Sequence, residues 1–133
     1  MSAEDVEAVR RGYNAFNSGD IEALLEGLDP EIVWNVPPIL PEKHVYEGRE
    51  GVAELLRTWR DAFDDFQLVV EEIIDVGDRV VAMAAVRGRG KGSGAYVESP
   101  SFGWVWTIRD GKLLRVEVFP NRAETFAAVG LEQ

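Results

Sequence analysis

Phe102-Gly-Trp-Val-Trp-Thr-Ile-Arg-Asp-Gly-Lys-Leu-Leu-Arg-Val-Glu-Val-Phe119 is the stretch whose reading decides the fold. Two runs rich in β-branched and aromatic residues flank Asp110-Gly111, a dipeptide suited to the positive φ angles of a tight hairpin turn. Side chains alternate along a strand, so Phe102, Trp104, Trp106 and Ile108 share one face of the first run, and Gly103, Val105 and Thr107 share the other. On the second run Leu114, Val116 and Val118 share a face, and Arg115, Glu117 and Phe119 the opposite one. Three large aromatics in one row call for a deep core or a pocket. Glu117, a charge between apolar neighbours, is the second feature to explain.

Upstream of this hairpin the pattern alternates between helix and strand. Ser2 reads as an N-cap, with Glu4 and Asp5 in the first turn, where the helix dipole favours acids. Val6, Val9, Tyr13 and Phe16 recur at spacings of three and four, which predicts an amphipathic helix ending at Asn17-Ser18-Gly19. Asp20 caps a shorter helix carrying Ile21, Leu24, Leu25 and Leu28, stopped by Asp29-Pro30. Glu31 to Val36 reads as a strand with Ile32, Trp34 and Val36 on one face. Pro37, Pro38 and Pro41 force a loop that also holds His44 and Tyr46. A third helix runs from Arg49 to about Asp64, its inward stripe Val52, Leu55, Leu56, Trp59 and Phe63.

From Phe66 onward the chain reads as four strands: Phe66 to Val76, Arg79 to about Gly90, Tyr96 to Ile108 with a break at Pro100, and Lys112 to Phe119. Asn121-Arg122-Ala123-Glu124 has the spacing of a capping box and opens a short last helix that Gly130 ends. Helix, helix, strand, helix and then an antiparallel meander define an α+β class. One strongly curved sheet wrapped around a helix layer would enclose a cone.

Composition bounds the function. The 133 residues suit a single domain with a sizeable core. Fourteen Lys and Arg against 24 Asp and Glu give a net charge of −10. That balance argues against nucleic acid as partner, since phosphate binding rests on Lys and Arg, and against an anionic membrane surface. No Cys is present, which excludes disulfides, thiolate metal sites and a cysteine nucleophile. His44 is the only His, so no multi-histidine metal site can form, and a Ser-His-Asp triad would have to be built on its Pro-rich loop. Arg87, Arg89 and Lys91 alternate with glycines and read as a solvated strand end rather than a phosphate-binding fingerprint. No metal and no cofactor is expected. Without a basic region followed by an apolar run at the N-terminus, the expected compartment is the cytoplasm.

Four pieces of the sequence resemble the NTF2-like superfamily, and within it the SnoaL-like (polyketide cyclase-like) branch. They are Tyr13-Asn-Ala-Phe-Asn-Ser-Gly-Asp20, Tyr46-Glu-Gly-Arg-Glu-Gly51, Trp106-Thr-Ile-Arg-Asp-Gly-Lys112, and the ending Asn121-Arg-Ala-Glu124 with Gly130-Leu131. The resemblance spans residues 1–133 as one domain. It implies a cone-shaped α+β barrel, with helices packed in the concavity of a strongly curved mixed or antiparallel sheet, and a homodimer formed through the outer sheet face. The apolar face of Gly103, Val105 and Thr107 fits that expectation.

The residues that catalyse in relatives do not recur here. Where ketosteroid isomerases carry a helix Tyr, this chain has Gly12. Their base Asp falls nearest to Asn35 and Val36. No Arg-x-Asp of the epoxide-hydrolase kind lies on the meander strands, and Trp104 stands where SnoaL-like cyclases show a His. The residual candidate acid is Glu117. A carboxyl group between apolar walls has its pKa raised and can act near neutral pH, whereas on the outer face it would pair with Arg115 or Arg89.

The expected ligand-binding residues are Tyr13, Trp34, Trp59, Phe63, Phe102, Trp104, Trp106 and Phe119, forming a pocket for a small hydrophobic, flat or cyclic molecule. Two functions stay open. One is a cone that binds such a molecule, with acid/base catalysis by a carboxylate. The other is a non-catalytic dimeric binding or interaction module. An inward Glu117 favours the first, and a filled cone with Glu117 outside favours the second.

Overall fold

A computed structural model describes residues 2–35 and 45–131, so the expectations placed on Val36, the three prolines after it and His44 lie outside the described residues. The order is α1 (Ser2–Ser18), α2 (Ile21–Glu26), β1 (Leu28–Asn35), β2 (Val45–Glu47), α3 (Gly48–Ala62), β3 (Phe63–Asp75), β4 (Val80–Gly90), β5 (Tyr96–Glu98), β6 (Phe102–Arg109), β7 (Lys112–Phe119) and α4 (Arg122–Ala128). The strands form one curved mixed sheet in the order β2-β1-β7-β6-β4-β3, with β5 continuing beside β4.

The hairpin is as the sequence predicts. Asp110 and Gly111 have φ of 51° and 76°, and β6 and β7 pair antiparallel from Arg109↔Lys112 onward. β1 differs. It starts at Leu28, directly after the Gly27 cap of α2, and pairs in parallel with β7 at Leu28↔Leu113 and Trp34↔Val116. The segment containing Tyr46 is not loop but β2, antiparallel to β1 with Tyr46 opposite Trp34. Phe63 opens β3 instead of closing α3.

The concave face carries the main core. Val9 and Tyr13 of α1, Val52, Leu55 and Leu56 of α3, and Ile32, Trp34, Trp104, Trp106 and Val116 of the sheet are all buried in it. The start of β1 is held by charge. The Asp29 carboxylate accepts the Glu31 N–H at 2.8 Å and is gripped by Arg109 Nη2 at 3.1 and 3.2 Å. Arg49 donates twice to the Leu28 carbonyl, at 2.7 and 2.9 Å.

The convex face has its own apolar cluster of Val81, Met83 and Val105, joined by Ile74, Val76, Phe119 and Val129. The helix layer does not hold every helix, because α4 sits on this convex side. A Cβ at Gly103 would collide with the Thr125 side chain, so the missing side chain is the seat of the helix. Arg122 locks it there, pairing with Glu72 at 2.6 Å and lying 4.2 Å above the Phe126 ring. Asn121 caps α4 by accepting the Glu124 N–H at 2.8 Å, and its side-chain amide donates to the Glu124 carboxylate at 2.8 Å. Val105 is 3% exposed within the single chain. The cover expected from a second copy is thus supplied in part by the chain itself.

Two outcomes follow from these contacts. Gly103→Ala should push α4 off the sheet, costing about 1–3 kcal/mol by overpacking and raising amide exchange selectively in Arg122–Ala128. Unchanged protection there would contradict the seating of Thr125. The Asp29 carboxyl is held below its ordinary pKa, chiefly by the Glu31 N–H and then by Arg109. A depressed folded pKa contributes stability that is full above the unfolded value, about 3.9, and is lost as pH falls through the folded value. Asp29→Asn should therefore flatten the acid limb of the stability–pH curve and leave its slope near neutral pH unchanged.

Candidate functional site

The aromatic residues of the concave face form one continuous column. At its base Tyr13 stands edge-on to Trp104 and Trp106, with ring centroids 6.2 and 6.0 Å away. Trp106 Nε1 donates to the Tyr13 hydroxyl at 3.0 Å, and Trp104 Nε1 to the Ala84 carbonyl at 3.2 Å. Trp34 packs edge-on against Trp104, Trp106 and Trp59, at 6.3, 5.4 and 6.3 Å. Toward the open end Trp59 stacks on Phe66 at 5.1 Å and 20°, Phe16 meets both rings, and Phe63 leans on Phe66 at 5.5 Å. Edge-to-face and offset stacks suit the ring quadrupoles, so each pair adds to plain burial.

Among the described residues these rings fill the part of the cone between α1 and β6. Among Val9, Gly12, Tyr13, Phe16, Leu24, Trp34, Leu68, Trp106 and Leu113 only about 10 Å³ stays empty, roughly the room of a single water. Open clefts lie outside this void, one of about 380 Å³ between α1, α2 and the β6–β7 turn, lined by Ala8, Ala15, Leu24 and Leu113 among others, and one at the aromatic end of the column, the mouth. A cleft of about 380 Å³ between the end of α1, the outer turn of α3 and the start of β3 is walled by Phe16, Leu56, Trp59, Phe63 and Phe66. Asn17, Arg60, Asp64, Asp65 and Lys91 form its rim. Phe16 borders both the cleft and the inner void.

Of the expected site residues, Tyr13, Trp34, Trp104 and Trp106 meet in the cone, and Trp59 and Phe63 stand at its mouth. Phe102 packs on the same core. Phe119 does not join them and belongs to the convex cluster. Glu117 also lies outside the cone. It is opposite Val105 on β6 and pairs with Arg115 at 3.4 Å, both side chains about half exposed.

The cause is a β-bulge. Near the turn the pairing runs Arg109↔Lys112 and Ile108↔Leu113, but beyond it Thr107 pairs with Arg115 and Trp106 with Val116. A one-residue shift exchanges the faces of every later side chain. With regular register Glu117 would stand opposite Trp104, facing inward. With the bulge Val118 takes that place. The residues lining the void include no carboxylate.

Asn17 is a working residue that sequence reasoning placed only within a motif. Its side-chain amide donates to the Leu68 carbonyl at 2.8 Å and its oxygen accepts the Leu68 N–H at 2.9 Å, as a strand partner would. Gln67 Nε2 returns a bond to the Asn17 carbonyl at 3.1 Å. This pins the end of α1 to β3 and fixes one wall of the cleft. No group of three His, Cys, Asp or Glu that could hold a metal occurs among the described residues, and no helix among them is long and apolar enough to cross a membrane.

Comparison with known proteins places this architecture. The SnoaL-like domain family matches residues 9–116, and the chain belongs to that family. No curated protein matches it in sequence. Among solved structures, TerC co-crystallised with polyporic acid is 26% identical, with a TM-score of 0.77 over 96% of this chain and 98% of that one. A putative polyketide cyclase from Xanthomonas campestris pv. campestris is 28% identical, with a TM-score of 0.72 over 96% and 97%. An NTF2-like protein of unknown function from Burkholderia pseudomallei shares the fold at 22% identity, with a TM-score of 0.77 over 95% and 97%.

Asn17→Ala should cost about 1–3 kcal/mol, because it leaves both main-chain groups of Leu68 without their partner. Asn17→Asp should restore little, since a carboxylate cannot donate to the Leu68 carbonyl. Thermal unfolding of the two variants checks this, and a full rescue by Asp would refute the two-way clamp.

Proposed function

We propose that this SnoaL-like protein binds a small, flat, hydrophobic molecule in the cleft at the mouth of its cone, with the molecule lying against Trp59. The observation that carries this reading is the aromatic lining of the cleft. About 380 Å³ stays open where Phe16, Trp59, Phe63 and Phe66 present their rings, whereas a cleft of equal volume between α1, α2 and the β6–β7 turn has no aromatic residue in its lining. That volume and an aromatic lining are typical of small-molecule sites. The similarity to TerC, a protein crystallised with polyporic acid, supports the same reading.

A filled cone and an outward Glu117 favour the non-catalytic of the two functions considered. The working surface in this reading is the cleft rather than the convex sheet face, which α4 already occupies in part.

Calorimetric titration with naphthalene as probe tests the proposal. Trp59→Ala should weaken binding ten- to thirtyfold, the loss usual for a central aromatic contact. Glu117→Gln should leave affinity unchanged, because that side chain faces solvent across the sheet. No heat of binding, or an unaltered affinity in Trp59→Ala, would remove the cleft from consideration.

A further inference from the structure

The three cations that alternate with glycines from the end of β4 do not stay together. Lys91 stands on the rim of the mouth cleft. Arg87 and Arg89 instead line a separate depression of about 340 Å³, with Asp65, Gln67, Gly88 and Tyr96. Along β4, Val80, Ala82, Ala84 and Val86 pack on the concave core, and Val81 and Met83 on the convex cluster. Alternation therefore puts both arginines on the convex face, further along the strand than that cluster. Directly opposite residues of neighbouring strands share a face. On β5 Tyr96 is opposite Arg89 and Glu98 is opposite Arg87, so the phenol ring forms one wall beside the two guanidiniums.

Charge in the depression is unbalanced. The net charge of the chain is −10, and Arg10, Arg79, Arg109, Arg115 and Arg122 each have a carboxylate oxygen within 3.6 Å. Arg87 and Arg89 make no ion pair among the described residues. Glu98 is drawn to a different partner, its carboxylate accepting the Tyr96 hydroxyl at 2.9 Å. The lining thus sets two guanidiniums against one carboxylate, Asp65. Arg89 is also held in place. Its Nη1 donates to the Gly94 carbonyl at 3.1 Å, and the turn bearing that carbonyl is closed by Gly94 N–H to the Gly90 carbonyl and Gly90 N–H to the Ala95 carbonyl, both at 2.9 Å.

We propose that this depression binds an oxyanion, the carboxylate or phosphate group of a small molecule, between the Arg87 and Arg89 guanidiniums. A guanidinium is planar, always charged and presents paired N–H donors that match the oxygens of either group. The site is distinct from the mouth cleft, with which it shares only Asp65 and Gln67 in its lining.

The test replaces sodium chloride by sodium phosphate or sodium acetate at constant ionic strength and follows the Nε–H resonances of Arg87 and Arg89 in the full chain. Both resonances should move and saturate, and the anion that binds more tightly identifies the group carried by the natural ligand. Arg87→Gln and Arg89→Gln should each weaken that binding about tenfold, the loss of a charge-assisted hydrogen bond. Both side chains are exposed, so these variants keep the fold. Arg57→Gln removes an equal charge from the exposed side of α3 and should leave the affinity unchanged. Stationary resonances in both salts, or an Arg57→Gln loss as large as that of the two substitutions in the depression, would overturn the site. Either result leaves the naphthalene titration of the mouth cleft as an independent test.

Discussion

The hydrogen bond from Trp106 Nε1 to the Tyr13 hydroxyl, 3.0 Å long, couples the helix layer to the sheet inside the cone. Both groups are almost fully buried, so neither has water as an alternative partner. The bond sets how closely α1 approaches β6, and the rings of Trp34 and Trp104 pack edge-on around that spacing. Once four large rings occupy the centre of a 133-residue cone, little volume is left there. Open aromatic surface is found at the mouth, where Trp59 and Phe66 end the same column. Position of the cleft and packing of the core are thus consequences of one arrangement.

Much of the framework was readable from local sequence. Asp110-Gly111 prescribes positive φ at two successive residues, and the chain adopts it. The three- and four-residue spacing in α1 and α3, and the alternation along β6, place Val9, Tyr13, Leu55, Trp104 and Trp106 on the buried side as predicted. Each of these signals is contained in the element it describes. The parallel pairing of β1 with β7 is not, since it joins segments about 80 residues apart. The roles of Gly103 and Asn17 were hidden for the same reason. One is a gap that matters only to Thr125, the other an amide whose partner is Leu68.

The site was legible in its aromatic part and illegible in its acid. Period-two alternation states which residues of β7 share a face, but it does not state which face is inward. That choice belongs to the register against β6, and a single bulge beside Thr107 reverses it. Glu117 is thereby paired with Arg115 in solvent, where an ion pair between two half-exposed side chains is worth little. The reversal also carries Phe119 to the convex cluster and brings Val116 and Val118 against the tryptophans. One extra residue in one strand separates a cone with an internal carboxylate from a cone without one.

That separation governs what the interior can do. The void is bordered almost wholly by apolar surface, with no charged group among its lining. Burial raises the one titratable group there, Tyr13, away from the range in which it could exchange a proton at neutral pH. The carboxylates and cations of the site stand instead at the rim, Asp64 and Asp65 beside Arg60 and Lys91, in contact with water. At the rim, screening by water and salt weakens any discrimination by charge. Charge is therefore confined to the rim of the cleft, and the void beneath it presents aromatic and aliphatic walls.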